Sequence, residues 1–387
     1  MLTVILFFVL LSVLVLVHEL GHFIVARLSG VKAEEFGFGF PPRLIGFIRE
    51  RGKWKRVSGK DQQSYPQTIW SINWLPLGGF VRMKGEDGGA HDKDSFGAAS
   101  WGKRAAILAA GVAMNWILAA LIFSVGFAIG VPAELEGIPA SAHVLNPHTE
   151  IVDVLAGSGA QLAGIKAGDT LLAVDGTVVK NTNEAQALIK GGVGTDGKIV
   201  VIRIERNKKA QDISVAPQFV SQVNRFALGV SMINTGTVRF PWYQAFPEGC
   251  VVAWNYTRAI VVGFTSVLHS LFVERKVAEG VSGPVGIAVM TGQAARQGVW
   301  SIFQFGALLS LNLAVINFLP IPALDGGRFL FLLLEPIRRR KMSPIVEGLL
   351  NRAGFFLLLA LILLVTARDL WQYSGVIWHG LKHVVGL

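Results

Sequence analysis

The chain has 387 residues, of which 52% are hydrophobic and only 16% charged, with a mean hydropathy of +0.49. Soluble domains carry roughly 25% charged residues, so an ordinary soluble enzyme, a disordered tail and a disulfide scaffold are all excluded. The net charge of +10 falls mainly in residues 27–104 (14 Lys/Arg against 8 Asp/Glu) and 321–345 (5 against 2), while residues 132–299 are nearly balanced. Such basic segments beside apolar runs are the positive-inside pattern of a membrane protein and imply no nucleic-acid partner. The single Cys250 can form no internal disulfide.

Residues 1–28 are read as the first of four transmembrane helices. No basic segment or small-residue cleavage site marks this run as a removable leader. It leads directly into His18-Glu19-Leu20-Gly21-His22. Histidines at i and i+4 share one helix face and can both reach one Zn²⁺, with Glu19 beside them as general base. At 1.5 Å per residue His18 lies about 26 Å along the helix, inside a hydrocarbon core of roughly 30 Å. Ionisable groups at that depth face an internal cavity rather than lipid.

Residues 29–100 are expected to form a cytoplasmic loop with membrane-associated β elements. Ile69–Met83 reads as a hairpin turning near Pro76–Gly79, and an edge at Gly78, Gly79 and Phe80 is placed to hold an unwound substrate by strand addition. Residues 101–131 form the second span. Within residues 132–225, strands are expected at Ile151–Leu155, Thr170–Val174, Lys198–Glu205 and Ala210–Ala216, with a helix at Asn183–Lys190 and turns at Asp175-Gly176 and Asp196-Gly197. Residues 226–299 read as an extracytoplasmic, amphipathic helical linker. Its apolar stretch Cys250–Phe272 carries Arg258 and His269 and is expected to lie on or beside the membrane.

Residues 300–327 form the third span and end in Asn317-Phe-Leu-Pro320-Ile-Pro322-Ala-Leu-Asp325-Gly326-Gly327. The prolines stop the helix, and the glycines permit a tight turn. A zinc site with two imidazoles lacks a third protein ligand, and Asp325 is the best candidate. Residues 328–343 are expected to be a cytoplasmic loop, and residues 344–387 the fourth span with a tail, begun by Ser343-Pro344. His18, His22 and Asp325 must share one depth, so the first and third spans cross in the same direction with an odd number of crossings between them. The second span supplies that crossing, and Cys250–Phe272 therefore does not span.

HELGH in a first span with Asn-x-x-Pro-x-x-x-x-Asp-Gly at the end of a later one resembles the site-2 protease family of intramembrane zinc metalloproteases, in its regulator-of-sigma-E protease branch. Phe36–Phe40, Pro76–Met83, Ala110–Asn115 and Gly283–Ile287 extend the resemblance along essentially the whole chain. It implies one Zn²⁺ per chain held by His18, His22 and Asp325, with Glu19 as catalytic base and auxiliary roles for Asn317 and Asn115. Asn317 either donates to a developing oxyanion or caps carbonyls freed by Pro320. Ala156–Asp169, followed by Leu171–Val174, resembles a bacterial PDZ domain, which acts as a size filter or binds peptide C-termini.

The fold expected is a polytopic α-helical membrane protein with four transmembrane helices, membrane-associated β-hairpin elements and one inserted extracytoplasmic PDZ (α+β) domain. By that resemblance the chain is a multi-pass protein of the bacterial inner membrane; the crossing count and the basic segments 29–100 and 321–345 place both termini on the extracytoplasmic side. It would hydrolyse single-span membrane proteins, such as anti-sigma factors or remnant signal peptides, in or near their transmembrane segments. The alternative is a non-catalytic membrane PDZ receptor with a structural metal; a metal transporter lacks a second cluster of ligands.

Overall fold

The computed structural model describes all residues except 1, 62, 87–91, 140, 194–197, 207, 221–224, 275–281, 341 and 373–387. The expected turn at Asp196-Gly197 and the tail beyond Gln372 lie outside the described residues. In chain order the elements are α1 (Leu2–Leu28), β1 (Ala33–Glu50), β2 (Lys53–Ser58), β3 (Ile69–Met83), α2 (Trp101–Ile129), β4 (Val131–Glu134) and β5 (His143–Val154). There follow α3 (Gly159–Leu162), β6 (Thr170–Val174), β7 (Thr177–Val178), α4 (Thr182–Val193), β8 (Val200–Arg206) and β9 (Lys209–Val215). The chain ends with β10 (Gln218–Val220), β11 (Arg225–Ala227), β12 (Val230–Arg239), α5 (Trp242–Phe272), α6 (Pro284–Gln297), α7 (Val299–Phe318), α8 (Asp325–Arg338) and α9 (Pro344–Gln372). Two compact units result: Met1–Phe123 with Gly249–Leu387, and Ser124–Glu248.

Among the described residues five helices are long and apolar enough to cross a bilayer: the four expected spans and α5. The first unit carries its own record of helix direction. Leu10 packs on Gly306 and His18 lies beside Asn317, so α1 and α7 run the same way. His18 meets Asn115, His22 meets Ile107 and Lys103 reaches the Ser29 carbonyl, so α2 runs opposite to α1. Gly354 packs on Pro322 and the Asp369 carboxylate accepts from Gly286 N–H, which places α9 against the broken end of α7 and the start of α6.

The segment after α7 differs from expectation. Residues 328–338 are not loop: α8 begins at Asp325 itself and runs to Arg338. Its buried Phe331 and Leu332 pack inward, the Arg104 guanidinium grips Glu335 with two bonds of 2.5 and 3.0 Å, and Trp101 Nε1 donates to the Leu332 carbonyl. The left-handed residue is Ala323 (φ 77°), while Gly326 and Gly327 lie inside the helix. A Cβ on Gly327 would sit 2.7 Å from the Ile321 carbonyl carbon, so close packing is what excludes a side chain there.

The three-stranded sheet has the order β2-β1-β3, with β1 and β3 both bent. Ile69–Met83 turns near Pro76 as expected, but its two arms do not pair with each other as a hairpin would. The first arm of β1 lies between them, Phe36 opposite both Val81 and Trp70 and Phe38 opposite both Gly79 and Ile72. Gly37 makes the interleaving sterically feasible, since a Cβ there would lie 2.8 Å from Asn73 Nδ2. Buried Glu35 closes the fold through a bidentate ion pair to Arg43. The outer edge of the second β3 arm faces α1: Gly78 N–H donates to Ser12 Oγ at 3.1 Å, and Val81 N–H donates to Glu19 Oε2 at 3.1 Å.

The second unit contains the expected strands and helix, but the first strand, β5, starts at His143 rather than Ile151, and α4 begins at Thr182. Its sheet has the order β4-β12-β5-β6-β8-β9, around a core that includes Ile151, Leu171, Val200, Ile202 and Ile204. Val230–Arg239 therefore belong to the sheet, as β12 paired to β4 and β5, and not to a helical linker. Its alternation is diluted by Asn234, Thr235 and Gly236, so the strand did not stand out from the sequence.

Asp169 in this unit is 1% exposed and accepts two hydrogen bonds of 2.6 Å from Arg206. Burial alone pushes this carboxyl up, but Arg206 and the Lys166 backbone N–H together hold it below its ordinary value. Its contribution is thus complete above the unfolded pKa near ~4 and is lost as pH falls through the lower folded value. Asp169→Asn should destabilise the unit by about 2–3 kcal/mol at pH 7. Hydrogen exchange of β6 and β8 amides in the full chain should accelerate, and the acid-induced loss of protection expected below pH ~4 in the unsubstituted chain should flatten.

Candidate metal centre

The centre is built on one face of α1. His18 and His22 are 6% and 5% exposed, with ring centroids 4.9 Å apart and nearly perpendicular planes. The broken chain after α7 delivers Asp325 to the same point. Its Oδ2 lies 2.9 Å from His18 Nε2 and 3.2 Å from His22 Nε2, and the two Nε2 atoms are 3.2 Å apart. A tetrahedral Zn²⁺ with bonds of roughly 2.0–2.1 Å separates its ligand atoms by about 3.3 Å, so the three donors fit one ion. Among the described residues these are the only three such side chains close enough together to hold a metal.

The neighbouring groups fit the same ion. His22 Nδ1 lies 2.8 Å from the Ile107 carbonyl, which fixes the proton on Nδ1 and leaves the Nε2 lone pair for a metal. Asn115 Nδ2 is 3.3 Å from His18 Nδ1, while its fully buried Oδ1 has no partner among the described residues. Turning the amide over sets the acceptor oxygen against Nδ1–H, the arrangement required when a metal occupies His18 Nε2. Gly111 of α2 sits directly under the imidazoles; a Cβ there would overlap His22 Nε2 and approach His18 Cε1 to 2.7 Å.

Glu19 and His22 line a cavity of about 380 Å³, with Phe80 and Val81 of β3 and Asp325 and Arg328 of α8. Glu19 is tied to the β3 edge by the Val81 N–H. Asn317 Nδ2 stands 3.5 Å from His18 Nε2, so its amide faces the metal position. Gly79 and Phe80 reach the cavity wall, whereas Gly78 packs on Val15. Two side chains escaped the sequence reading. Arg328 lies one helical turn after Asp325 and pairs with Glu86, just beyond β3. A lone arginine directly before the apolar run Phe329–Leu334 was the available signal; Glu86 offered none.

The model of Peptidase family M50 matches residues 6–58 and 60–361, and the chain belongs to that family. It is a multi-pass membrane protein and a metalloendopeptidase of the site-2 type. "Putative zinc metalloprotease R01501" of Rhizobium meliloti (strain 1021) is 32% identical, with 95% of this chain and 94% of its own covered. "Zinc metalloprotease RasP" of Geobacillus kaustophilus (strain HTA426) is 27% identical, with 96% and 98% covered. Among solved structures, the PDZ domain of an SdrC-like protein from Listeria monocytogenes matches 22% of this chain and 86% of its own, at 18% identity and a TM-score of 0.20.

Gly111→Ala should lower bound metal well below one ion per chain, measured by elemental analysis of the purified protein, with the far-ultraviolet dichroism unchanged. Asn115→Ala should weaken metal affinity by about 10–100-fold, read by chelator competition.

Proposed function

We propose that the chain is a zinc-dependent intramembrane endopeptidase that cuts single-span membrane proteins in or near their transmembrane segment. The observation that carries this reading is the meeting of two imidazoles and one carboxylate beside a second carboxylate, Glu19, in the wall of a cavity bordered by a strand edge. His18, His22 and Asp325 would hold the ion. When bound, zinc supplies a Lewis acid and makes water a nucleophile near neutral pH.

The chain's own residues do the rest. Glu19 accepts the proton of the attacking water and returns it to the leaving amine. The Asn317 amide, directed at the metal position, donates to the oxygen of the scissile carbonyl as charge builds on it. Asn115 acts through His18, as a positioning residue. A helical substrate shields its peptide bonds, and the β3 edge at Gly79 and Phe80 offers strand pairing to a locally unwound segment. The Val81 N–H on Glu19 couples that edge to the base.

The helix directions support four crossings. With α1 and α7 running together and α2 against them, α2 must leave and α7 must enter on the same side. Crossing by α5 would require a return, and the only described helix between them, α6, has 14 residues, about 21 Å, against a core of roughly 30 Å. α5 is accordingly an extracytoplasmic helix on or beside the membrane, its exposed Trp242, Tyr243 and Trp254 suited to the interface. The inserted unit and both ends of the chain then face outward from the bacterial inner membrane, and residues 29–100 face inward.

The inserted unit is read as a PDZ-type domain. In β12, Val230–Ile233 pairs with β5 on one side while β4 reaches only Thr235–Val238, which leaves a strand edge beside α4. That edge suits a peptide C-terminus, and the same domain suits a size filter for substrates already trimmed outside the membrane. Anti-sigma factors and remnant signal peptides are the substrate classes that fit such a filter.

Glu19→Gln should lower cleavage of a single-span reporter by at least about 10²-fold while zinc stays near one per chain; cleavage at the unsubstituted rate contradicts the role. Cysteines placed at Lys190 and Arg338 should react with an impermeant reagent from opposite sides of the membrane.

A further inference from the structure

A second cavity, of about 660 Å³, opens where α1 ends, away from the metal centre. Arg27 and Lys32 line it from the end of α1, Arg49 and Trp54 from the β1–β2 pair, and Trp70 from β3. It contains three cations and no carboxylate. Lys32 Nζ donates to the Tyr65 carbonyl at 2.6 Å. Arg27 lies 5.5 Å over the Phe23 ring, and among the described residues neither Arg27 nor Arg49 forms an ion pair. Two guanidinium groups therefore face one hollow without an anion to balance them.

The strand register explains how they come together. Arg49 is opposite Trp54 and Phe47 is opposite Trp70, which puts these four side chains on one face of the sheet. The intervening Ile48, with Val57 and Ile69, is buried on the other face. Phe23 of α1 meets the Trp70 ring edge-on at 5.3 Å and carries Arg27 one turn further on. The hollow thus has an aromatic floor and a cationic rim.

Its depth narrows the ligand. Arg27 is the first Lys or Arg in the chain and stands in the last turn of α1, where an apolar run of this length leaves the hydrocarbon. Trp54 and Trp70 are 61% and 37% exposed, as tryptophans are at a headgroup layer. A free phosphate would use the rim alone; a phospholipid uses rim and floor together.

We infer that this cavity binds the phosphate of an anionic phospholipid headgroup, held by Arg27 and Arg49, with Trp54 and Trp70 against the glycerol and upper acyl chains. β1 and β3, which line this cavity at one end, also border the metal cavity, so a lipid here fixes the substrate-facing sheet to the bilayer.

The test is native mass spectrometry of the full chain in detergent, incubated with equal amounts of phosphatidylglycerol and phosphatidylcholine. The unsubstituted chain should retain phosphatidylglycerol preferentially. Arg27→Gln with Arg49→Gln should lower that retention roughly 10–30-fold, and Arg49→Gln alone, an exposed strand position, should lower it severalfold. Arg339→Gln with Arg340→Gln, an exposed basic pair elsewhere, should leave it unchanged. Equal retention of both lipids, an equal loss in the Arg339/Arg340 variant, or displacement of the lipid by inorganic phosphate at about 50 mM would overturn the assignment.

Discussion

Two imidazoles and a carboxylate lie within 3.2 Å of one another inside an apolar bundle, and that concentration of polar groups is the constraint around which the first unit is arranged. Desolvating such groups costs several kcal/mol each unless each finds a partner. A divalent cation between the three donors satisfies them together, and the Ile107 carbonyl and the Asn115 amide complete the outer nitrogens. The helices must approach closely for this to happen. Gly111 lets α2 lie under the imidazoles, and Gly326 and Gly327 let the start of α8 fold back on the end of α7, which brings Asp325 to depth.

The remaining elements keep that convergence in place. Arg104–Glu335 and the Trp101 indole fasten α8 to α2, while Arg328–Glu86 fastens it to the turn after β3. Both are paired charges on the helix that supplies the third donor, so displacement of α8 would strand a charge in a low-dielectric setting. The β3 edge is held to α1 by Ser12 and Glu19. In the proposed reading one helix therefore carries two metal donors, the general base and the anchor of the strand edge beside which a substrate would lie.

The sequence disclosed the parts of this that depend on local pattern. The spacing of His18 and His22 and the prolines before Asp325 are short-range signals tied to one chemistry, and the apolar runs are long enough to read without context. What it hid depends on tertiary pairing. β12 lacks clean alternation because Asn234, Thr235 and Gly236 interrupt its apolar positions, and its pairing with β4 and β5 comes from distant parts of the unit. The two arms of β3 seem to call for each other as a hairpin, yet Gly37 admits the first arm of β1 between them. α8 carries Gly326, Gly327 and Pro336 within it, residues that weaken a helix read from local pattern; it is held by Arg104 and Trp101, more than 200 residues away. α5 meets the length and hydropathy criteria and packs on α2 and α7, with Ala253 buried among Ala119, Ala120 and Leu311 and Tyr256 stacked on Phe123, so neighbours far off in the chain bear on its placement.

The central claim is that α1 and α8 together ligate one zinc ion. Zinc-edge X-ray absorption on the purified full chain tests it directly. The account predicts a first shell of nitrogen and oxygen at about 2.0–2.2 Å, with the outer scattering of two imidazoles and no sulfur. A shell containing sulfur from Cys250, or the scattering of fewer than two imidazoles, would contradict it.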